Sequence, residues 1–509
     1  MKEIILSLFV LGFSACGSDS RSNIVVESED IVESEDVVAE SLHRTYEDNR
    51  THNPNKTITI YVHGFSSTGA DKTDRVFGVD RNESFFNDIP KFMGVSTINN
   101  KADENKSNIF TTTTYYGNIA PSYYTQKDIE ELEDISDEFG GGIPRYALIL
   151  AKYTKYIMAR TSAKQVNYIG ASMGALVSRY LIEKNLENLA SEKKIARWLT
   201  VEGVVNGNYI ASKNDLIEIL ELFERPSIDV EHMSYEWIEN YLVSSRTVAN
   251  SPYYKDILIG HESSTKDNLS KHALTTFLFL NGQFESNDAY QIVSDTHFHD
   301  VALSSRFNEQ LPTHSYFHVN HLSIKSHKGA WAQIATFLTS NKRVKITLTK
   351  AKINNIHESE GKWYEARPSL PAEIVFSSKV FSPEVNNRWE IEEEISNITV
   401  RGATPPIVKY YSNGEEKILN QILFDDFVLE NEKELNIELD VKEIDQDARY
   451  GVYEKPWKGK RDYDSIGNSS VKVPLNEGTY SFSNDNYSYD IKVELVNYNF
   501  TLLDKTNNQ

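Results

Sequence analysis

Acyl-transfer chemistry needs a nucleophile, a base that takes its proton, an acid that steadies the base, and donors for the oxyanion. Gly170-Ala171-Ser172-Met173-Gly174 offers the nucleophile. An apolar, β-branched run (Val166 to Ile169) enters it and a helical pattern (Leu176, Val177, Tyr180, Leu181) leaves it. Strand, sharp turn and helix raise a serine Oγ above a sheet edge, and residues two before and two after it must be small where strand and helix close together. Serine hydroxyl is a weak nucleophile at neutral pH. A neutral imidazole within reach accepts its proton during attack and returns it to the leaving group. A buried carboxylate fixes the imidazole tautomer and stabilises the imidazolium.

The base and the acid are sought late in the chain, in the order Ser, Asp, His. Asp288 is the first candidate acid because it follows the apolar run Thr275 to Leu280 directly; Asp300 is second and Asp295 third. His321 is favoured as base over His318, His314 and His327, since it ends an apolar run and a helical pattern, Ala330–Leu338, comes after it. The oxyanion donors are backbone N–H groups. Met173 opens the helix after the serine, where partial positive charge collects. Phe65 stands in His63-Gly64-Phe65-Ser66-Ser67-Thr68-Gly69, a loop fed by the β-rich run Thr57–Val62. Each donor contributes about 3 kcal/mol in comparable sites. His63 is read as holding that loop, not as a base.

These residues need a frame. Thr57–Val62, Thr111–Tyr116, the run into Ser172, Trp198–Val205 and Thr275–Leu280 read as strands, and Ile143–Arg160 carries Tyr146, Ile149, Leu150, Tyr153 and Ile157 on one helical face. Such alternation implies an α/β class, a mainly parallel sheet with helices on both faces. Residues 211–270 contain two helical patterns, Leu216–Phe223 and Tyr235–Val243, and read either as a cap over the site or as a plain helical insertion.

With 509 residues the chain exceeds one ordinary domain, and its hydrophobic content of 39% can build sizeable cores. A net charge of -21 argues against nucleic acid or an anionic membrane face as partner. The single cysteine, Cys16, allows no internal disulfide and no cysteine metal site. Met1–Ala15 reads as an export signal, and Phe13-Ser14-Ala15-Cys16-Gly17 resembles the bacterial lipoprotein signal, in which the cysteine is lipidated; a plain signal peptide is the alternative. Gly17 and Ser18 resemble the residues just after the lipidated cysteine in outer-membrane lipoproteins of Gram-negative cells. Residues 16–56 hold a duplicated Val-Glu-Ser-Glu-Asp and read as a disordered acidic tether.

From residue 342 to 509 the pattern changes to period-two alternation, as in Val344, Ile346, Leu348 and Ile491, Val493, Leu495, the mark of an antiparallel β-sandwich. Asp445, Asp447, Asp462 and Asp464 lie near strand ends there and resemble the Ca²⁺-binding loops of a C2 domain; solvated acidic loops without metal are the other reading.

His63-Gly64-Phe65, the Gly170–Gly174 turn, Ser286-Asn287-Asp288 and Asn320-His321-Leu322 together resemble the bacterial lipases of the α/β-hydrolase superfamily, with some likeness to inositol deacylases. The resemblance spans Ile58 to Leu338 and departs from the pattern at Ala289, where glycine is usual. It implies an α/β-hydrolase domain over 57–341 and a serine esterase acting on lipids or lysophospholipids at the cell envelope, with no cofactor for catalysis. A thioesterase or surface-glycan deacylase would use the same residues. A non-catalytic binding or adhesion lipoprotein on the same scaffold is the alternative of another class.

Overall fold

The computed structural model describes residues 57–65, 74–80, 89–93, 96–97, 109–212, 228–244, 248, 251–266, 287–288, 290–298, 313–317, 319–356, 372–389, 400–401, 408–444 and 463–497. Cys16, the signal, the tether, the helical pattern at Leu216–Phe223, the run Thr275–Leu280, Asp300 and His318 lie outside them. Among the described residues, one compact unit runs to residue 298 and includes Phe317–Thr339; a second comprises Thr313–Tyr316 and Ser340–Asn497.

The first unit is built on β1 (Thr57–Val62), β2 (Ser96–Thr97), β3 (Ile109–Thr112), β4 (Gln165–Ala171), β5 (Ile195–Val201) and β6 (Leu258–Ser264). Their order is β6-β5-β4-β1-β3-β2, and every neighbouring pair is parallel. Every residue of β1, β4 and β5 is buried, as a parallel sheet covered on both faces requires. The chain starts at β1, moves outward to β2 and β3, then crosses back to β4 on the other side of β1. Strand order therefore reverses between β1 and β4, and the crevice beyond their carboxyl ends is where such sheets bind ligands. The loop with His63 and the turn with Ser172 both open there.

Helices α1 (Ile89–Met93), α2 (Gln126–Phe139), α3 (Gly142–Thr161), α4 (Met173–Glu183), α5 (Ile228–His232), α6 (Tyr235–Tyr241) and α7 (Lys328–Thr339) complete the described part of this unit. Thr125 caps α2 in a reciprocal pair with Asp128. The nearly buried Lys152 of α3 binds Asp128 at 2.6 Å, Glu131 at 2.6 Å and Glu187 at 2.8 Å, which ties α2 to α3. At the start of α3, His232 of α5 accepts a hydrogen bond from the Ile143 N–H at 3.1 Å, doing for this helix what a capping side chain does.

Three expectations need correction. The strand expected over Thr111–Tyr116 runs instead over Ile109–Thr112. The strand expected over Trp198–Val205 runs instead over Ile195–Val201, because Glu202 takes a left-handed φ of 48° and ends it. The range 211–270, read as a cap or insertion, contains β6, a core strand parallel to β5. Its sequence, Leu-Ile-Gly-His-Glu-Ser-Ser, is half polar, so hydrophobic periodicity gave no signal, although all seven residues are buried.

In the second unit, β7 (Thr313–Phe317, its first four residues) pairs antiparallel with β10 (Val400–Arg401). The rest comprises β8 (Lys342–Ile353), β9 (Ala372–Phe381), β11 (Val408–Tyr411), β12 (Glu416–Val428), β13 (Glu434–Ile444), β14 (Tyr463–Pro474), β15 (Gly478–Ser483), β16 (Tyr487–Asn497) and the helix α8 (Pro383–Trp389). These strands form two antiparallel four-stranded sheets, β11-β9-β13-β14 and β12-β8-β16-β15. Val344, Ile346 and Leu348 of one sheet and Ile437, Leu439 and Val441 of the other fill a single shared core. Asp445, Asp447 and Asp462 lie outside the described residues; Asp464 is on β14 opposite Glu443.

Candidate active site

Ser172 sits between β4 and α4 with φ 52° and ψ -125°. A non-glycine residue there is strained by about 1–3 kcal/mol and persists only where its surroundings over-determine it. They do so on several sides. Its N–H donates to the Val201 carbonyl at 3.0 Å, and its carbonyl accepts from Ala175 at 3.1 Å and Val204 at 2.9 Å. The flanking glycines are required by space. A Cβ on Gly174 would lie 2.1 Å from the Val62 carbonyl oxygen, and one on Gly170 would lie 2.7 Å from the Cα of Ala175.

β1 delivers the facing loop. Gly64 lies against the serine so closely that a Cβ there would come within 2.8 Å of the Ser172 Cβ. His63 is buried, its ring stacked on Tyr115 at 3.9 Å and its Nδ1 2.8 Å from the Gly64 carbonyl, while the Tyr115 hydroxyl donates to the His63 carbonyl. The loop is thereby pinned one residue before Phe65. Across from it, Met173 opens α4. Its N–H belongs to a first turn whose donors have no carbonyl within the helix.

His321 lies in the turn after β7, four residues beyond the strand's end at Phe317. The Asn320 side-chain oxygen accepts from the N–H groups of Leu322 at 3.1 Å and Ser323 at 2.9 Å, which shapes that turn. The imidazole Nε2 is 3.1 Å from Ser172 Oγ, and Nδ1 is 2.7 Å from an oxygen of Asp288. The other oxygen of Asp288 accepts from the N–H groups of Tyr290 at 2.9 Å and Gln291 at 2.8 Å. Main chain joins the two partners as well, since the His321 N–H donates to the Asp288 carbonyl at 3.1 Å. Asp288 is buried and His321 nearly so.

The other candidates go elsewhere. The Asp295 carboxylate accepts from the Tyr235 hydroxyl at 2.7 Å, and its carbonyl accepts from Val205 and Asn206. His327 caps α7, with Nδ1 accepting from the Ala330 N–H at 3.2 Å, and burial pushes its pKa down. His314 is on β7, where its side chain is outside the described set.

Sequence reasoning missed Glu202. This buried carboxyl comes directly after β5 and stands 3.2 Å from Nδ1 of His321, the same nitrogen that faces Asp288. Burial and the adjacent Asp288 push its pKa well up. A charged residue at the carboxyl end of a buried parallel strand was the available signal.

No family model matches the chain, and no curated protein matches it. Among solved structures, a lipase of Bacillus licheniformis in mature form aligns at 14% identity and a TM-score of 0.32, over 55% of this chain and 91% of that one. The same lipase in its propeptide form aligns at 10% identity and a TM-score of 0.35, over 87% and 98%. The phospholipase PlaB of Legionella pneumophila, in complex with thio-NAD, aligns at 13% identity and a TM-score of 0.29, over 48% and 44%. The geometry of the site, not these likenesses, carries the chemistry.

Proposed function

We propose that the chain is a serine hydrolase of carboxylic esters with an α/β-hydrolase fold. The observation that carries this reading is the line from Asp288 through His321 to a backbone-strained Ser172, at 2.7 and 3.1 Å. Ser172 Oγ attacks the ester carbonyl while Nε2 of His321 takes its proton, and Asp288 steadies the imidazolium from the Nδ1 side. The tetrahedral oxyanion is met by the N–H groups of Phe65 and Met173. Collapse expels the alcohol, which takes the proton from His321. Water, deprotonated by the same imidazole, then attacks the acyl-serine and releases the acid. No metal or organic cofactor enters this sequence.

The substrate class is a lipid or lysophospholipid ester at the cell envelope. This part rests on the likeness of the four motifs to bacterial lipases and on the lipoprotein-like signal ending at Cys16, which would anchor the body to the outer membrane of a Gram-negative cell. Calcium binding by the carboxyl-terminal acidic loops is a separate proposal, supported by the spacing of Asp445, Asp447, Asp462 and Asp464 alone.

Purified Ser172→Ala protein should lose at least 10³-fold in turnover of short acyl esters while its thermal midpoint stays within about 2 °C of the parent. Turnover equal to the parent's would remove the proposal. Comparing oxygen esters, thioesters and acetylated glycans on the parent protein decides the substrate class.

A further inference from the structure

We propose that Glu202 is a positioning residue for His321, a second buried acid on the Nδ1 side that holds one negative charge jointly with Asp288 and takes over when Asp288 is lost. The proposal rests on the serine-hydrolase reading above. One oxygen of each carboxylate and one ring nitrogen lie within 4.8 Å of one another. Nδ1 has a single N–H to donate, and Asp288 at 2.7 Å accepts that hydrogen bond; Glu202 at 3.2 Å stands ready beside it.

The position is built, not incidental. Glu202 takes φ 48°, a conformation that non-glycine residues avoid, and its N–H is fixed to the Glu262 carbonyl at 2.7 Å. The Ser264 hydroxyl donates to Oε1, which leaves Oε2 for the imidazole. Two anionic carboxylates do not share so small a buried space, so one of them keeps a proton. Asp288, with backbone N–H donors on its other oxygen, is the better anion. Besides Asp288 and His321, the charged groups that act on Glu202 are Glu262, which disfavours its ionisation, and Lys325, which favours it. Removing Asp288 removes the neighbouring anion, and Glu202 then ionises and accepts the hydrogen bond from Nδ1–H.

The test is a double-variant cycle in kcat/KM on a soluble ester, with Ser172→Ala as the control for serine-dependent turnover. Asp288→Ala should lose about 10²-fold, less than the roughly 10⁴-fold expected where no acid remains. Glu202→Gln should lose about threefold in the parent but a further 10²-fold in Asp288→Ala. In that second background it should also move the acid limb of the pH profile about one unit lower. The direction is set because loss of an anion beside the imidazole lowers its pKa, and turnover needs it neutral. Equal losses in the two backgrounds, with an unmoved acid limb, would show Glu202 to be structural and overturn the proposal. If Glu202→Gln does not fold, Ser264→Ala is read in the same two backgrounds. It should deepen the loss at least tenfold only where Asp288 is absent, and equal losses overturn the role. Turnover that survives in Ser172→Ala defeats the hydrolase reading and Glu202's role with it, whereas serine-dependent turnover with additive losses defeats Glu202's role alone.

Discussion

At the scale of single residues, the nucleophile turn was legible because steric demand writes itself into residue type. Gly170 and Gly174 are glycines because backbone from a neighbouring element occupies the space a side chain would need. Gly174→Ala would drive a methyl group against the Val62 and His63 carbonyls. It should destabilise the protein by roughly 1–3 kcal/mol, read as a lower urea midpoint with an unchanged slope. Asp288 was legible as one of three acids, but only three-dimensional closure shows that Asp295 is turned to Tyr235 instead. Glu202 was legible only as a charged residue beside a buried strand; its role was not, because nothing local says that a glutamate after Val201 will meet a histidine 119 positions later in the chain (321 − 202).

At the scale of elements, apolar runs and helical faces were readable where one kind of burial dominates. β1 falls where its β-branched run lies, and α3 extends the expected helix by one residue at each end. β6 was hidden because its polar side chains lie in the interior rather than in water, as with His261, whose Nδ1 is 2.7 Å from the Thr200 hydroxyl. The helix α5 carries two buried groups with opposite pH behaviour. Burial pushes the Asp229 carboxyl up to about 7, against the pull of Tyr146, Arg145 and Tyr116. The folded state therefore holds an extra proton between pH 3.8 and about 7, and stability falls as pH rises through that window. Burial pushes His232 down to about 3, so its contribution is present above pH 6.5 and is lost as pH falls toward 3. Each acts at up to about 1.4 kcal/mol per pH unit, and the two slopes oppose one another. Asp229→Asn should match the parent near pH 4 and exceed it by a few kcal/mol at pH 8, read by chemical denaturation. A difference that does not grow with pH would contradict this account of α5.

At the scale of the whole molecule, the change from helical to period-two patterning near residue 342 announced a second architecture, and the described chain divides at Thr339 and Ser340. The alternation was readable because each sheet there has one buried face, with Ile437, Leu439 and Val441 inward and Glu438 and Asp440 between them. The acidic loops were readable as composition only, since three of the four aspartates lie outside the described residues. A net charge of -21 sets the expectation that an anionic surface repels the body, so a covalent lipid at Cys16 would serve where electrostatic attraction does not.

The central claim is that Ser172 is activated by His321. Treatment with a fluorophosphonate and then peptide mapping tests it most directly. The account predicts a single adduct on Ser172, formed at least 10²-fold more slowly in His321→Ala. An adduct on another residue, or labelling of Ser172 at an equal rate without His321, would contradict it.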